Sequence, residues 1–400
     1  MPTVNAQETK MRVVHIITRL IVGGAQENTI CTVLGLKEKQ DVEVFLISGP
    51  TYGAEGSLVD TVRSVKLIEV PSLVRPVHPI KDVCALFSLI KYLKQIKPDI
   101  VHTHSGKAGV IGRIAAKIVK VPIIVHTIHG PSFGEFQGAI PNLIFLTAER
   151  LAGRFTTHFI SVSQAMTDQY IRAGIGKPQQ YSCIYSGFNL QPFIEAKNDL
   201  NLRKQYGIKP DDIVIGKIAR LFKLKGHDDL FQIAPALVEK FKNIKFLIVG
   251  GGEWRGKFVD MAKSLNLQEH FVFTGLVQPA EIPKLIGITD ILVHFSRREG
   301  LPRSVIQALA SGKPVVVYDC DGAREVCIDG KTGFLIKPGD TNGLLKALTT
   351  LISNPSLRKT MGENGRKIAL ENFSQTKMVE SIYGLYKKLL RNSDVCNGLK

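Results

Sequence analysis

The 400-residue chain is short of the features that mark several protein classes. It holds one Trp, and Phe, Trp and Tyr together make up 7% of its residues, few for a surface that stacks nucleic-acid bases. Its six cysteines, Cys31, Cys84, Cys183, Cys320, Cys327 and Cys396, include no CxxC spacing. They spell neither a zinc module nor a disulfide framework, and a reducing compartment is expected. No stretch of ~18 uninterrupted apolar residues occurs, so no membrane-spanning helix is expected. Residues 1–10 are polar and lack the basic-then-apolar order of a secretory signal, which leads to the expectation of a cytoplasmic protein. Acidic residues are also scarce: 35 Asp and Glu stand against 52 Lys and Arg, a formal charge of +17. Such a field favours a polyanion, whether nucleic acid, an anionic bilayer or a phosphorylated substrate. Residues 81–120 concentrate it, with Lys81, Lys91, Lys94, Lys97, Lys107, Arg113, Lys117 and Lys120 against Asp82 and Asp99. This stretch is read as one basic face. Only Phe87 and Tyr92 are interleaved in it, so nucleic acid is not the expected partner.

What is present is an alternation of short Val- and Ile-rich runs with longer stretches of helical periodicity, the mark of βαβ units and parallel sheets. Strands are expected at 13–17, 42–47, 100–102, 123–126, 159–162 and 182–185, with helices at 25–36, 83–96, 108–119, 140–151 and 164–172. The pattern breaks into a polar stretch and restarts, with strands at 213–218, 246–249, 272–274, 291–295, 314–318 and 333–336. We read an α/β protein of two Rossmann-like domains facing across a cleft: an N-terminal domain over 1–190, a linker over 191–210, a C-terminal domain over 211–375, and a final helix within 376–400 that crosses back to brace the first. Open parallel sheets bind ligands at the carboxyl ends of their strands, so the site is expected between the two.

Some motifs fail. Gly250, Gly251 and Gly252 follow a strand, but Arg255 stands where GxGxxG needs its third glycine, and Phe258 stands where a P-loop needs Ser or Thr. His102, His104, His126 and His129 lie at two strand ends without a carboxylate or Cys at ligand spacing, so no metal is expected. Only His129, at a turn before Gly130 and Pro131, is placed to face a ligand.

Three loops at strand ends share one theme, recognition of a phosphorylated sugar. Gly23 and Gly24 precede a helix, letting backbone approach a diphosphate at a helix N-terminus. Arg220 and Lys225 sit on one loop, a guanidinium and an ammonium suited to two bridging phosphates. In the third loop Pro302 suits the first turn of a helix, which puts Glu299 just before it, where a carboxylate can accept hydrogen bonds from sugar hydroxyls.

Several segments occur in order: Gly23-Gly24, Thr127-Ile128-His129-Gly130, Ser161-Val162-Ser163, Arg220 with Lys225-Gly226-His227, Val249-Gly250-Gly251-Gly252-Glu253, Phe273-Thr274-Gly275, and Arg298-Glu299-Gly300-Leu301-Pro302 followed by Ala308-Leu309-Ala310-Ser311-Gly312-Lys313-Pro314. Over about residues 11 to 390 the chain resembles the retaining glycosyltransferase family 4 of the GT-B fold. The resemblance implies transfer of a sugar from a nucleotide-sugar donor, a UDP-sugar first, to an acceptor hydroxyl with retention, without metal or other cofactor. It implies Arg220 and Lys225 on the diphosphate, Glu299 on the sugar hydroxyls and His129 on the transferred sugar. Further donor contacts are implied at Gly23, Gly24, Val277, Gly300, Leu301, Arg303 and Gln307. The acceptor it implies is a lipid-linked or polysaccharide glycan of envelope or exopolysaccharide synthesis; separately, the basic stretch 81–120 leads to the expectation of an enzyme peripheral on the cytoplasmic membrane face.

One position departs from the family pattern. Its paired glutamates stand eight residues apart, and eight after Glu299 is Gln307, an amide that can still accept from ribose hydroxyls through its carbonyl. Retention by proton transfer to the leaving phosphate and retention by double displacement both stay open. A sugar-nucleotide epimerase or a sugar phosphorylase on the same fold, or a basic nucleic-acid-binding protein, are the alternatives. A product assay separates the first two, since an epimerase needs no acceptor and a phosphorylase needs inorganic phosphate.

Overall fold

A computed structural model describes residues 10–52, 56–134 and 137–397, with side chains through 393. The polar segment 1–9 and the side chain of Cys396 lie outside these limits. The chain forms two compact units, one of residues 1–188 with 375–400 and one of residues 189–374.

In the first unit seven strands form one parallel sheet: β1 (Met11–Ile17), β2 (Val42–Ser48), β3 (Lys66–Glu69), β4 (Ile100–His104), β5 (Ile123–Ile128), β6 (His158–Ser161) and β7 (Tyr181–Cys183), in the order β3-β2-β1-β4-β5-β6-β7. Alternation decides what each face carries. Val13 and Ile17 of β1, with Ile100, Ile123 and Val125, pack under the helices Gly24–Lys37 and Gln375–Asn397 through Ile30, Val33, Met378, Ile382 and Tyr386. Val14 and Ile16 face the other way, against Ala85, Leu89 and Leu93 of the helix Pro79–Ile96 and Ala108 and Ala115 of the helix Gly106–Ile118. Strand β3 has no counterpart in the sequence expectation, because four residues at a sheet edge, with Lys66 and Glu69 exposed, show no apolar run.

The second unit repeats the plan with six parallel strands: β8 (Ile213–Ile218), β9 (Ile244–Val249), β10 (Phe271–Gly275), β11 (Ile291–His294), β12 (Val315–Tyr318) and β13 (Gly333–Ile336), in the order β10-β9-β8-β11-β12-β13. The stretch 191–210 is itself folded into this unit as the helices Gln191–Ile194 and Leu200–Gln205. Its anchor is the buried Arg203 guanidinium, which donates to the carbonyls of Asp212 and Ile288 and to the Asp290 carboxylate.

The expected basic face is thinner than its composition. Arg113 turns inward and pairs with buried Glu149 at 2.6 Å, while Lys107 pairs with Asp82. Lys81, Lys91, Lys94, Lys97, Lys117 and Lys120 stay exposed. On the helix Pro79–Ile96, Lys91 and Lys94 continue an exposed stripe begun by Ile80, Val83 and Phe87, the last 65% exposed. Ile140, Leu143 and Ile144 of the helix Ala139–Gly153 are exposed as well. Among the described residues no helix is long and apolar enough to cross a membrane.

Candidate active site

In both sheets the strand order reverses beside the first strand, between β1 and β4 and between β8 and β11. Such reversals, at the carboxyl ends of the strands, are where open parallel sheets take their ligands.

At the second of these points the loop after β8 meets the loop after β11. Gly226 makes the meeting possible: its φ is +64°, and a Cβ there would sit 2.0 Å from the Phe295 carbonyl oxygen. Lys225, just before it, donates to Ser296 Oγ at 3.3 Å and forms an ion pair with Glu299. His294 Nε2 lies 3.2 Å from the same Glu299 oxygen, and its Nδ1 lies 3.1 Å from Ser304 Oγ. The Glu299 backbone N–H donates to Asp321 Oδ2 at 2.7 Å. Burial works against the Glu299 charge, but Lys225 and His294 outweigh it and hold the carboxyl well below the usual carboxylate range. Beneath them Lys217 of β8 is 1% exposed, its ammonium 4.9 Å from the centre of the Phe295 ring. Burial, then repulsion by Lys225, pull its pKa down to about 7.

Arg220 stands exposed at the head of the same loop, its guanidinium 5.2 Å from the centre of the Phe222 ring. The glycine triplet after β9 supports this loop. Leu221 N–H donates to the Gly251 carbonyl at 2.9 Å, and Gly250, at φ +139°, would place a Cβ 2.3 Å from the Ala219 carbonyl oxygen. Gly300 and Leu301 are buried directly after Glu299. Pro302 caps the helix Arg303–Ala310 instead of lying in its first turn, so Glu299 belongs to the loop and not to the helix start. Arg303 opens the helix, Gln307 is buried in its second turn, and Val277 is half-buried in the loop after β10. Thus Lys225 and Glu299 touch, and Arg220, Gly300 and Leu301 share their two loops. Ser296 opens the loop that carries Glu299, whereas His294, Lys217 and Asp321 went unnoticed in the sequence. Lys217 alone left a signal there, a lysine inside an apolar strand.

His129, Gly23 and Gly24 belong to the first unit. Gly23 caps the helix Gly24–Lys37, and a Cβ on the exposed Gly24 would meet nothing within 4 Å. The protein's own packing does not demand glycine at that helix start, so the open space is available to a ligand. The turn after His129 is tied down by Ser132 Oγ, 3.2 Å from Glu149 and 3.0 Å from Tyr170 Oη.

The first unit's switch point is filled by histidines. Register sets His15 of β1 beside His102 of β4, and His104 beside Thr127 of β5, so all four side chains share one face. His15 Nδ1 is 2.9 Å from His104 Nε2, and His104 Nδ1 is 3.0 Å from His129 Nε2. His102 Nδ1 lies 2.5 Å from Tyr386 Oη, and its Nε2 lies 2.6 Å from Thr127 Oγ1. Burial lowers the pKa of His15 to about 3 and that of His129 to about 4, and holds His102 and His104 well below 6.5. His15, His102 and His104 bring ring nitrogens within 4.8 Å of one another, a grouping able to take a metal ion. Counting spacings on β4 alone missed it, because the third histidine comes from β1.

Comparison with known proteins bears on both units. A family model for glycosyl transferases group 1 matches residues 198–368, and one for glycosyltransferase family 4 matches residues 22–192. UDP-Gal:alpha-D-GlcNAc-diphosphoundecaprenol alpha-1,3-galactosyltransferase of Escherichia coli is 28% identical over 96% of this chain and 98% of its own. EpsD of Bacillus subtilis, named as a glycosyltransferase, is 30% identical over 74% of this chain and 78% of its own. The crystal structure of HepE from Anabaena in complex with UDP-glucose superposes with a TM-score of 0.79 at 23% identity, covering 94% of this chain and 100% of that one, a likeness of GT-B fold. With a family model matched in each unit, one relative spanning nearly the whole length and another 30% identical over 74% of it, the chain belongs to the group 1 glycosyltransferases.

Proposed function

We propose that this glycosyltransferase moves a sugar from a UDP-sugar to a hydroxyl of a lipid-linked glycan, with retention and without a metal. The observation that carries the reading is the Lys225–Glu299 pair, backed by His294 and Lys217, at the switch point of the second sheet. The second unit is taken as the donor domain and the first as the acceptor domain. Arg220 and Lys225 hold the diphosphate and Glu299 accepts from hydroxyls of the transferred sugar. The amides of Gly300 and Leu301 and the N-terminus opened by Arg303 add positive ends. Val277 borders the base and Gln307 the ribose, while Gly24, capped by Gly23, admits phosphate at its own helix start. His129 contacts the sugar.

As the bond from the anomeric carbon to phosphate oxygen breaks, negative charge grows on the diphosphate, and Arg220 and Lys225 stand ready for it without reorganising, the arrangement that contributes most to such steps. The acceptor oxygen bonds to that carbon on the face being vacated, and its proton passes to the departing phosphate oxygen. Retention follows without a carboxylate nucleophile. The lipid-linked acceptor draws on the name of the Escherichia coli relative and the UDP donor on that name and the HepE complex. The exposed apolar-then-basic stripe on the helix Pro79–Ile96 supports a peripheral membrane site for it.

The test is a panel of UDP-, GDP- and ADP-sugars incubated with the full chain and scored for slow donor hydrolysis, with and without EDTA. UDP-sugar hydrolysis that survives EDTA, and falls by roughly 10²- to 10³-fold in Glu299→Ala and in Arg220→Ala, is expected. Near-normal turnover in either variant with its melting temperature unchanged rules out the assigned roles, and loss with EDTA restored by Mg²⁺ or Mn²⁺ rules out the metal-free mechanism.

A further inference from the structure

We infer that Tyr386, carried by the C-terminal helix, fixes which ring nitrogen of His129 bears the proton, acting through the hydrogen-bonded row His15–His104–His129. The significance for catalysis rests on the proposed contact of His129 with the sugar; the row itself does not.

Neutral imidazole has one N–H and one lone pair, on different nitrogens. His15, His104 and Tyr386 are fully buried, so no water replaces a missing partner. A row of such rings must run in one sense: each donates at one end and accepts at the other, and one reversal reverses all. Burial keeps these rings uncharged through the neutral pH range, which preserves the constraint.

The sense is set at Tyr386. Its hydroxyl lies 2.5 Å from His102 Nδ1, and a phenol O–H is a far better donor to an imidazole lone pair than its oxygen is an acceptor. His102 therefore carries its proton on Nε2 and donates to Thr127 Oγ1. The phenol oxygen, its hydrogen committed, faces His15 Nε2 at 3.5 Å and favours an N–H there. His15 Nδ1 then accepts from His104 Nε2–H, and His104 Nδ1 accepts from His129 Nε2–H. What is left to His129 is a bare Nδ1, an acceptor for a hydroxyl hydrogen. Tyr386 is thus a positioning residue.

The experiment is long-range ¹H–¹⁵N NMR of the full chain labelled at histidine, which reports the tautomer of each ring without any substrate. His15, His102, His104 and His129 are expected as Nε2–H from pH 6 to 8. In Tyr386→Phe, which keeps the packed ring, His129 is expected to become a mixture or to switch to Nδ1–H. With a donor in hand, kcat of that variant should fall roughly five- to tenfold while KM for the donor stays within about twofold. An Nδ1–H tautomer at His129 in the wild-type chain, or an unchanged Nε2–H form in Tyr386→Phe, overturns the inference. So does one equivalent of zinc in the purified protein whose removal shifts these ¹⁵N signals, since a metal on His15, His102 and His104 would occupy the lone pairs the row uses. A tautomer change in Tyr386→Phe with unaltered turnover upholds the row and counts instead against the sugar contact of His129.

Discussion

Lys225 is the leading cation acting on Glu299, and its loss has two separable effects. Lys225→Met is expected to lower turnover by roughly 10²- to 10³-fold, because a preorganised positive charge is missing as the diphosphate departs. Without that ammonium the Glu299 carboxyl titrates higher, so the residual activity should fail in acid at a higher pH than the wild-type activity does. A pH–rate profile of both proteins checks it; superimposable acid limbs would detach Lys225 from Glu299. These two residues were legible in the sequence because each lies in a polar loop just past an apolar strand. His294 and Lys217 were not, because they occupy strand positions that read as core. What makes them part of the site is the partner strand, and single-sequence periodicity does not report partners. The histidine row was partly legible for the same reason: His104 and His129 stand at strand ends that the sequence marks, whereas His15 and Tyr386 come from far along the chain.

At the scale of elements, the strands were legible to within a few residues wherever an apolar run is bounded by turns, and β8 and β13 match residue for residue. The polar edge strand β3 was not, nor were the two short helices within 191–210, each of which buries one side chain, Phe193 in the first and Arg203 in the second, too little to make an apolar pattern. The basic face needed the structure most, since Arg113 and Lys107 count as charge in the sequence but are consumed by Glu149 and Asp82. What remains on the helix Pro79–Ile96 is apolar toward its start and cationic toward its end. Binding to anionic vesicles should therefore have a part lost in high salt and a part that is not. Lys91→Glu with Lys94→Glu should remove the salt-sensitive part, at most about 1 kcal/mol per lysine, and Phe87→Asp should weaken binding even in high salt. Vesicle co-sedimentation measures both, and equal recovery with neutral and anionic vesicles at low salt would end the membrane reading.

For the molecule as a whole, six histidines of the first unit, His15, His102, His104, His126, His129 and His158, have folded pKa values below 6.5, burial being the first cause in each. In the unfolded chain they take up protons near pH 6.5. The unfolded state then binds more protons than the folded one below that value. The stability they contribute is complete above pH 6.5 and is lost as the pH falls toward 4 and below, by up to about 1.4 kcal/mol per pH unit for each group. Urea unfolding at pH 7, 6 and 5 should show the first unit weakening steadily, before most carboxylates titrate; a flat profile would mean that the rings can protonate in place.

The C-terminal helix also imposes an order in time. Gln375 N–H donates to the Phe188 carbonyl at 3.0 Å, so the chain re-enters the first unit where it left, and the second unit is an insertion between the two crossings. At 5–20 residues per second the ribosome needs roughly 10 to 40 s to make that insertion. Throughout that interval Val13, Ile17 and Val125 lack part of their cover, and the histidine row lacks Tyr386. A nascent chain halted within the insertion therefore presents a bare sheet face to chaperones and proteases, and the helix Gln375–Asn397, made only after the insertion, both seals the core and completes the row that reaches His129.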